Sequence, residues 1–268
     1  MSFTPKVALV TGASSGIGRI TAEALSRAGY RVYGTTRNAA PADRGDVRML
    51  TCDVTDQVSV EACVAQVLKE AGRIDLLVNN AGSGLFGAAE EASMAQAQQL
   101  FEANFFGLLR VTNAVLPAMR RQHSGRIVNV SSILGLIPAP FTALYAASKH
   151  AVEGYSESLD HEVRSLGIRV VLVEPAYTRT SFNASSAQAS GMISSYDDMR
   201  ARVGAAVRKA NEAGDDASVV ADSIVKAAEA ERPRRRYTVG SLAGRVALLR
   251  RYVPAEAFDK SLRKQSGL

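Results

Sequence analysis

Tyr145-Ala146-Ala147-Ser148-Lys149 sets a phenol and an ammonium four residues apart in an apolar-periodic stretch. On a helix the two share one face. An isolated phenol has a pKa of about 10, and bringing it within about three units of neutrality requires roughly 4 kcal/mol of preference for the phenolate. Lys149, one turn away, is suited to provide that preference, because a nearby cation favours the charged form. Ser132, thirteen positions before Tyr145, can donate a hydrogen bond without changing charge. Ser131 is its close competitor, and either serine could instead satisfy backbone groups at a strand end. Phenol, ammonium and hydroxyl together suit a carbonyl that accepts hydride, whose oxygen must gain a proton while its developing charge is stabilised.

Such a set has to be held by a scaffold, and the start of the chain indicates which one. Thr11-Gly12-Ala13-Ser14-Ser15-Gly16-Ile17-Gly18 follows the apolar run Val7-Ala8-Leu9-Val10 and leads into a helical pattern from Arg19 to Gly29. Strand, glycine turn and helix make a cradle for a dinucleotide pyrophosphate: glycines let the backbone approach the phosphates, and the helix N-terminus offers unpaired N–H groups. The spacing is GxxxGxG rather than GxGxxG. Apolar, β-branched runs near 6–10, 31–35, 47–51, 74–78, 126–131, 168–173 and 236–239 alternate with helical patterns. Continuous apolar runs such as Ile168 to Val173 suit a parallel sheet covered on both faces. The expected fold is α/β, a single-domain doubly wound Rossmann fold whose seven-stranded, mainly parallel sheet carries helices on both faces. Ligands in such sheets lie at the carboxyl ends of the strands, where Gly12, Arg37, Asp53, Asn79, Ser131-Ser132 and Pro175 all fall.

With Asn79-Asn80-Ala81-Gly82 and Asn104 between glycine turn and tyrosine, roughly residues 5 to 240 resemble the short-chain dehydrogenase/reductase family. The resemblance implies a catalytic set of Asn104, Ser132, Tyr145 and Lys149, with Asn104 holding a water in a proton relay behind Lys149. It implies a nicotinamide dinucleotide bound by Gly12, Ser14, Ser15, Gly16, Ile17, Gly18, Asp53, Val54, Asn79, Ala81, Gly82, Tyr145 and Lys149. Asp53 and Val54 would meet the adenine ring, although Asp53 also precedes a helix for which Thr55 or Asp56 is the better N-cap. Pro175, Thr178 and Thr180 fall in a segment similar to the family's PGxxxT, with Ala176 in place of its glycine; Ala fits wherever φ is negative. Thr36 stands where NAD-preferring relatives carry Asp, and Arg37 follows with a planar charge suited to a 2′-phosphate, so NADP(H) is the expected cofactor unless Arg37 points to solvent.

The rest of the chain bears on substrate and setting. Its 268 residues with 47% hydrophobic content can bury one large core, so one domain is expected over residues 1–268. Net charge is +6 and the pI is near 9.5, yet the charge is scattered apart from Arg232 to Arg236 and the tail, and no nucleic-acid motif accompanies it. Nucleic acid is not an expected partner. No apolar run spans a membrane, and Met1 to Lys6 leaves no room for a signal peptide, so a cytoplasmic protein is expected. Cys52 and Cys63 have no metal-ligand spacing; they are expected as buried thiols, with no metal. Residues 181–200 resemble a substrate lid, with Phe182, Met192, Ile193 and Tyr196 either lining a pocket or anchoring the loop. With Leu85, Phe86, Leu134, Leu136 and Ile137 they point to a small apolar carbonyl or alcohol substrate; Ser132, Leu134, Tyr145 and Phe182 are the expected contacts. Residues 241–268 form a basic, amphipathic extension that could shield the pocket, pair subunits or rest on an acidic surface, and is similar to that of steroid- and retinoid-active members. The long helices near 95–122 and 143–166 resemble those that pair subunits in family dimers and tetramers. Two alternatives accompany this reading: reduction of a 3-oxoacyl group on an acyl-carrier protein, whose acidic surface could meet Arg232 to Arg236, and a non-catalytic NADP(H)-sensing protein.

Overall fold

The computed structural model describes residues 5–39, 42–182 and 185–268. Seven strands form the central sheet: β1 (Val7–Val10), β2 (Arg31–Thr36), β3 (Val47–Thr51), β4 (Leu76–Asn79), β5 (Gly125–Val130), β6 (Ile168–Pro175) and β7 (Arg236–Val239). Their order is β7-β6-β5-β4-β1-β2-β3, and every pairing is parallel. Chain direction across the sheet reverses between β1 and β4, so a crevice opens at the carboxyl ends of those strands.

Helices α1 (Gly16–Arg27), α2 (Gln57–Ala71), α3 (Met94–Phe101), α4 (Gly107–Gln122), α5 (Ala143–Val163), α6 (Asp197–Glu212) and α7 (Ala217–Glu229) alternate with the strands, and α8 (Gly240–Tyr252) and α9 (Ala255–Gln265) follow β7. Along β1, Val7 and Leu9 enter one core with Val60 of α2, Val115 of α4 and Leu159 of α5. Ala8 and Val10 enter the opposite core with Leu25 of α1 and Ile224 of α7. A strand packed on both faces cannot alternate apolar with polar, which is why these runs read as continuously hydrophobic.

Local chemistry sets the element ends. Asp56 caps α2 by accepting from Val58 N at 3.0 Å, and Gly72 ends it at φ 74°. Ser93 and Gln96 form a reciprocal capping box at α3, as the side-chain chemistry of that pair favours. The helical stretch expected near 95–122 is interrupted: Glu102–Phe106 is a π turn, and Asn104 lies within it. Inserted turns of this kind redirect side chains and recur at functional sites. The segment expected as an irregular lid is more ordered than its composition indicates. Ala187–Gln188 pairs in parallel with Leu85–Phe86, and α6 already begins at Asp197. Asn183 and Ala184 of that segment lie outside the described residues, as do Met1 to Thr4, on which the reading of the N-terminus rested. No helix among the described residues is long and apolar enough to cross a membrane.

Candidate active site

A cleft of about 2160 Å³ runs along the carboxyl edge of the sheet, well above the roughly 300–1,000 Å³ of an ordinary small-molecule pocket. One end is walled by Gly12, Ser14, Ser15, Ile17, Arg37, Asp53 and Val54; Ala81, Gly82, Ser132, Tyr145 and Lys149 form its middle, with Pro175, Thr178 and Thr180 alongside. Leu134, Ile137, Phe182, Leu242, Val246 and Leu262 line the other end.

The glycine end is shaped by close approach. Gly12 and Gly16 take φ of 65° and 54°, in the left-handed region that favours glycine. A Cβ on Gly18 would lie 2.3 Å from the Gly12 carbonyl oxygen, so helix and turn can meet only where no side chain intervenes. Asn80 clamps the turn: its Nδ2 donates to the carbonyls of Thr11 at 3.0 Å and Gly12 at 3.1 Å. Asn79 does not line the cleft as expected. It is the last residue of β4, and its side chain points beneath the sheet edge, donating to Thr112 Oγ1 at 3.0 Å and Asn129 Oδ1 at 2.9 Å. Strand alternation accounts for the difference, since adjacent residues leave a strand on opposite sides, and Asn80 is the one that reaches the turn.

Arg37 lines the cleft exposed, without an ion-pair partner among the described residues, while Thr36 is buried behind it. The Asp53 carboxylate accepts from Thr55 N at 2.9 Å and from its hydroxyl at 2.8 Å. The Thr55 N–H holds its pKa below the usual carboxylate value, with Arg37 assisting. Ala176 fits the turn after β6, because the non-glycine residues with positive φ among the described residues are His123 and Phe141. The turn, its clamp and the open wall from Ser14 to Thr180 fit a dinucleotide pyrophosphate, since a side chain at Gly18 would break the cradle.

At mid-cleft, Tyr145 and Lys149 share the inner face of α5. Lys149 Nζ lies 5.8 Å from the Tyr145 ring centroid and donates to the Val130 carbonyl at 3.0 Å. Burial pushes the Tyr145 phenol up to about 12, against the neighbouring Ser132 hydroxyl. Burial also pushes Lys149 down to about 8, opposed by the charge of Glu153. Both groups lose solvent on this face, and the Lys149 ammonium is directed at a backbone carbonyl. The two serines diverge. Ser132 faces Tyr145, whereas buried Ser131 points back toward Glu153.

Asn104 does not present its side chain to the cleft. Its Oδ1 accepts from Ser83 N at 2.8 Å, and its Nδ2 donates to Ser83 O at 3.0 Å and Ser148 Oγ at 3.1 Å. Ser148 in turn donates to the Tyr145 carbonyl at 2.7 Å. The side chain therefore ties the Ser83 loop to the first turns of α5 and has no N–H left for a relay water.

At the apolar end, Phe182 lies 5.9 Å from Tyr145 between ring centroids. The other expected lid residues are elsewhere: Met192 is exposed, and Tyr196 packs on Phe141. Ala243 and Phe258 of the tail helices pack on Ile133 and Ile137 beyond Ser132, so the tail covers this end. Residues that sequence reasoning passed over hold the segment before α6: the buried Glu91 carboxylate accepts from Ile193 N at 2.8 Å and pairs with Arg200. Of the basic run Arg232 to Arg236, Arg236 turns inward to Glu153 and Glu174. Its charge is engaged there, which leaves less of it for an acidic partner.

Comparison with known proteins agrees with this geometry. The family model for short chain dehydrogenases matches residues 6–191. A 3-ketodihydrosphingosine reductase from Bacteroides thetaiotaomicron is 42% identical over 240 residues, 89% of each chain. Retinol dehydrogenase 8 from Bos taurus is 40% identical over 195 residues, 68% of this chain and 62% of that one. Among solved structures, a short-chain dehydrogenase from Streptomyces avermitilis superposes with a TM-score of 0.80 at 36% identity, covering 98% of this chain and 99% of that one. The chain belongs to the short-chain dehydrogenase/reductase family. It is an oxidoreductase acting between CH–OH and C=O groups, in a family that binds NAD(P).

Proposed function

We propose that this chain is an NADP(H)-dependent oxidoreductase that interconverts a ketone or aldehyde with an alcohol on a medium-sized apolar substrate. The observation that carries the reading is the placement of Tyr145, with Ser132 and Lys149 beside it, where the glycine-turn half of the cleft meets the apolar half. When bound, the dinucleotide supplies or accepts the hydride. The glycine turn and the N-terminus of α1 hold its pyrophosphate, Arg37 its 2′-phosphate and Asp53 with Val54 its adenine; Ala81, Gly82, Pro175, Thr178 and Thr180 line its nicotinamide half.

Tyr145 gives its proton to the carbonyl oxygen, and Ser132 donates a hydrogen bond to the same atom. Reduction needs Tyr145 to arrive as the acid, the form a phenol holds at neutral pH. Lys149 binds the nicotinamide ribose and stabilises the phenolate left behind; the same groups run in reverse for oxidation. Asn104 acts by positioning, and any relay water would have to meet its backbone, because its side chain is fully engaged. Leu134 and Phe182 flank the substrate, the segment from Ser181 into α6 serves as lid, and the tail from Ser241 closes the apolar end, all within one catalytic unit. A homodimer or homotetramer paired through α4 and α5, working in the cytoplasm, completes the proposal.

A relative named for 3-ketodihydrosphingosine, matched over 89% of the chain, makes ketones of that kind the first substrates to try. The experiment is turnover of 3-ketodihydrosphingosine and of retinal with NADPH and with NADH. NADPH-dependent reduction of either supports the reading; absence of turnover on a broad carbonyl and alcohol panel, with NADPH bound, would overturn it in favour of a sensing protein.

A further inference from the structure

Behind Lys149 lies a cluster of charge that the catalytic reading leaves unused. Glu153 is one turn further along α5, on the same inner face, and is 5% exposed. Glu174, fully buried, is the penultimate residue of β6. Arg236 reaches in from β7 and pairs with both carboxylates, and with Glu157 at the rim. Ser131 Oγ and Glu153 Oε1 both press against Gly135, where a Cβ would stand 2.7 and 2.9 Å from them.

One guanidinium thus serves two buried carboxylates. Like charges so close, out of water, do not both ionise freely. Ser131 Oγ, Glu153 Oε1 and Glu174 Oε2 are buried without a well-aligned hydrogen-bond partner, the arrangement expected where one carboxyl carries a proton. Burial, then the charge of Glu153, push Glu174 up to about 7. Burial raises Glu153 as well, but Ser131 and Arg236 work to keep it ionised. The titratable and charged groups facing the pair are Lys149 and Glu157 from α5 and Arg236 from β7, with the Ser131 hydroxyl at the end of β5. On α8, packed against the same turn, Arg245 is exposed and pairs with none of these carboxylates among the described residues.

We propose that Glu153 is a positioning residue that keeps Lys149 cationic in its buried site, with Arg236, which Glu174 shares, holding Glu153 in its charged form. Glu153 stands four residues after Lys149 on the same buried face of α5, the spacing at which helical side chains are neighbours, and its charge opposes the effect of burial on the ammonium. Without it the ammonium would lose its proton at lower pH, and the stabilisation of the Tyr145 phenolate would go with it. Glu174 has a different duty: replaced by an amide, it leaves Glu153 ionised beside Arg236. The two buried acids therefore differ in effect although they share one cation. The catalytic consequence rests on the function proposed above; the charge state of Lys149 does not.

The test reads Lys149 directly. In protein carrying 13C-labelled lysine, the Lys149 Cε resonance, assigned with Lys149→Arg, is titrated in wild type, Glu153→Gln and Glu174→Gln. The midpoint should fall by about one pH unit in Glu153→Gln, as loss of a close opposite charge requires, and stay in place in Glu174→Gln. The alkaline limb of kcat/KM for ketone reduction should move with it. Equal shifts in both variants would mean a merely structural cluster, and no shift in either would mean that Glu153 does not reach Lys149; each overturns the proposal. If Glu153→Gln fails to fold, 13C-labelled glutamate in wild type asks the same question, because a Glu153 still protonated at pH values where Lys149 is charged overturns it too. A shifted midpoint in a protein without turnover would sink the proposed activity and leave this inference standing.

Discussion

The two ends of the cleft are built by different means. At the glycine end, short turns leave parallel strands and are pinned by hydrogen bonds between neighbouring strand ends: Ala13 N donates to Thr35 O at 2.8 Å, Thr11 N to Val78 O at 3.0 Å, and Asn80 spans Thr11 and Gly12. At the apolar end, the walls come from connections and from helices after the last strand, held by a small cluster around Ile133, Ile137, Ala243 and Phe258 and by the Glu91–Arg200 pair. A sheet edge tolerates few rearrangements, because each turn is tied to the next strand. A connection can change length and side chains without disturbing the sheet. On the proposed function the first end would hold the dinucleotide and the second the substrate, and a family can keep one while varying the other.

That division breaks most sharply at the residue where the ends meet. Tyr145→Phe should lower turnover by about 10³-fold, within the range for loss of a general acid, while NADPH binding measured by fluorescence stays close to wild type. Retained turnover would remove Tyr145 from the chemistry. Gly18→Ala tests the glycine end alone. Its methyl would fall 2.3 Å from the Gly12 carbonyl, so the turn must open, and NADPH affinity should drop severely. A crystal structure of the variant with an unshifted turn and full affinity would show that the cradle is not set by this contact.

Phe258→Ala tests the other end. Truncating a largely buried aromatic should cost about 3 kcal/mol of stability. If the tail covers the substrate, KM for an apolar ketone should rise several-fold while the Kd for NADPH is unchanged. Parallel weakening of both would mean that the two ends are coupled more tightly than their construction indicates.

The same contrast decides what was legible in the sequence. Strands packed on both faces announce themselves as β-branched runs, and glycines at the first turn are dictated by backbone approach, so the strands and the dinucleotide edge follow from local pattern. Tyr145 and Lys149 follow from helical spacing. Asn79 and Asn80 were told apart only by which side of β4 each leaves, a parity that a one-residue difference in strand end reverses. The π turn at Glu102–Phe106 has no signal of its own, since it exists to let Asn104 reach Ser83 and Ser148 across 21 and 44 residues of chain. Nothing in the sequence singles out Glu153 or Glu174, and Arg236 stands there only as part of a basic run. Their burial depends on β6 and β7 lying side by side, a long-range pairing that no local pattern contains.

Arg37 gives the smallest expected effect and sharpens the comparison within the glycine end. Exposed in the cleft and without an ion-pair partner among the described residues, it has no structural duty that its removal would disturb. Arg37→Ala should therefore leave thermal stability unchanged and weaken NADPH about tenfold, or about 1.4 kcal/mol, while NADH affinity stays level. Part of the wild-type preference should fade as ionic strength rises, because a charge this open to solvent is screened. A wild type that binds NADH as tightly as NADPH would mean that Arg37 points past the ribose. Thr36, buried at the end of β2, would then permit either cofactor, and the discrimination in this protein would have to come from the substrate end.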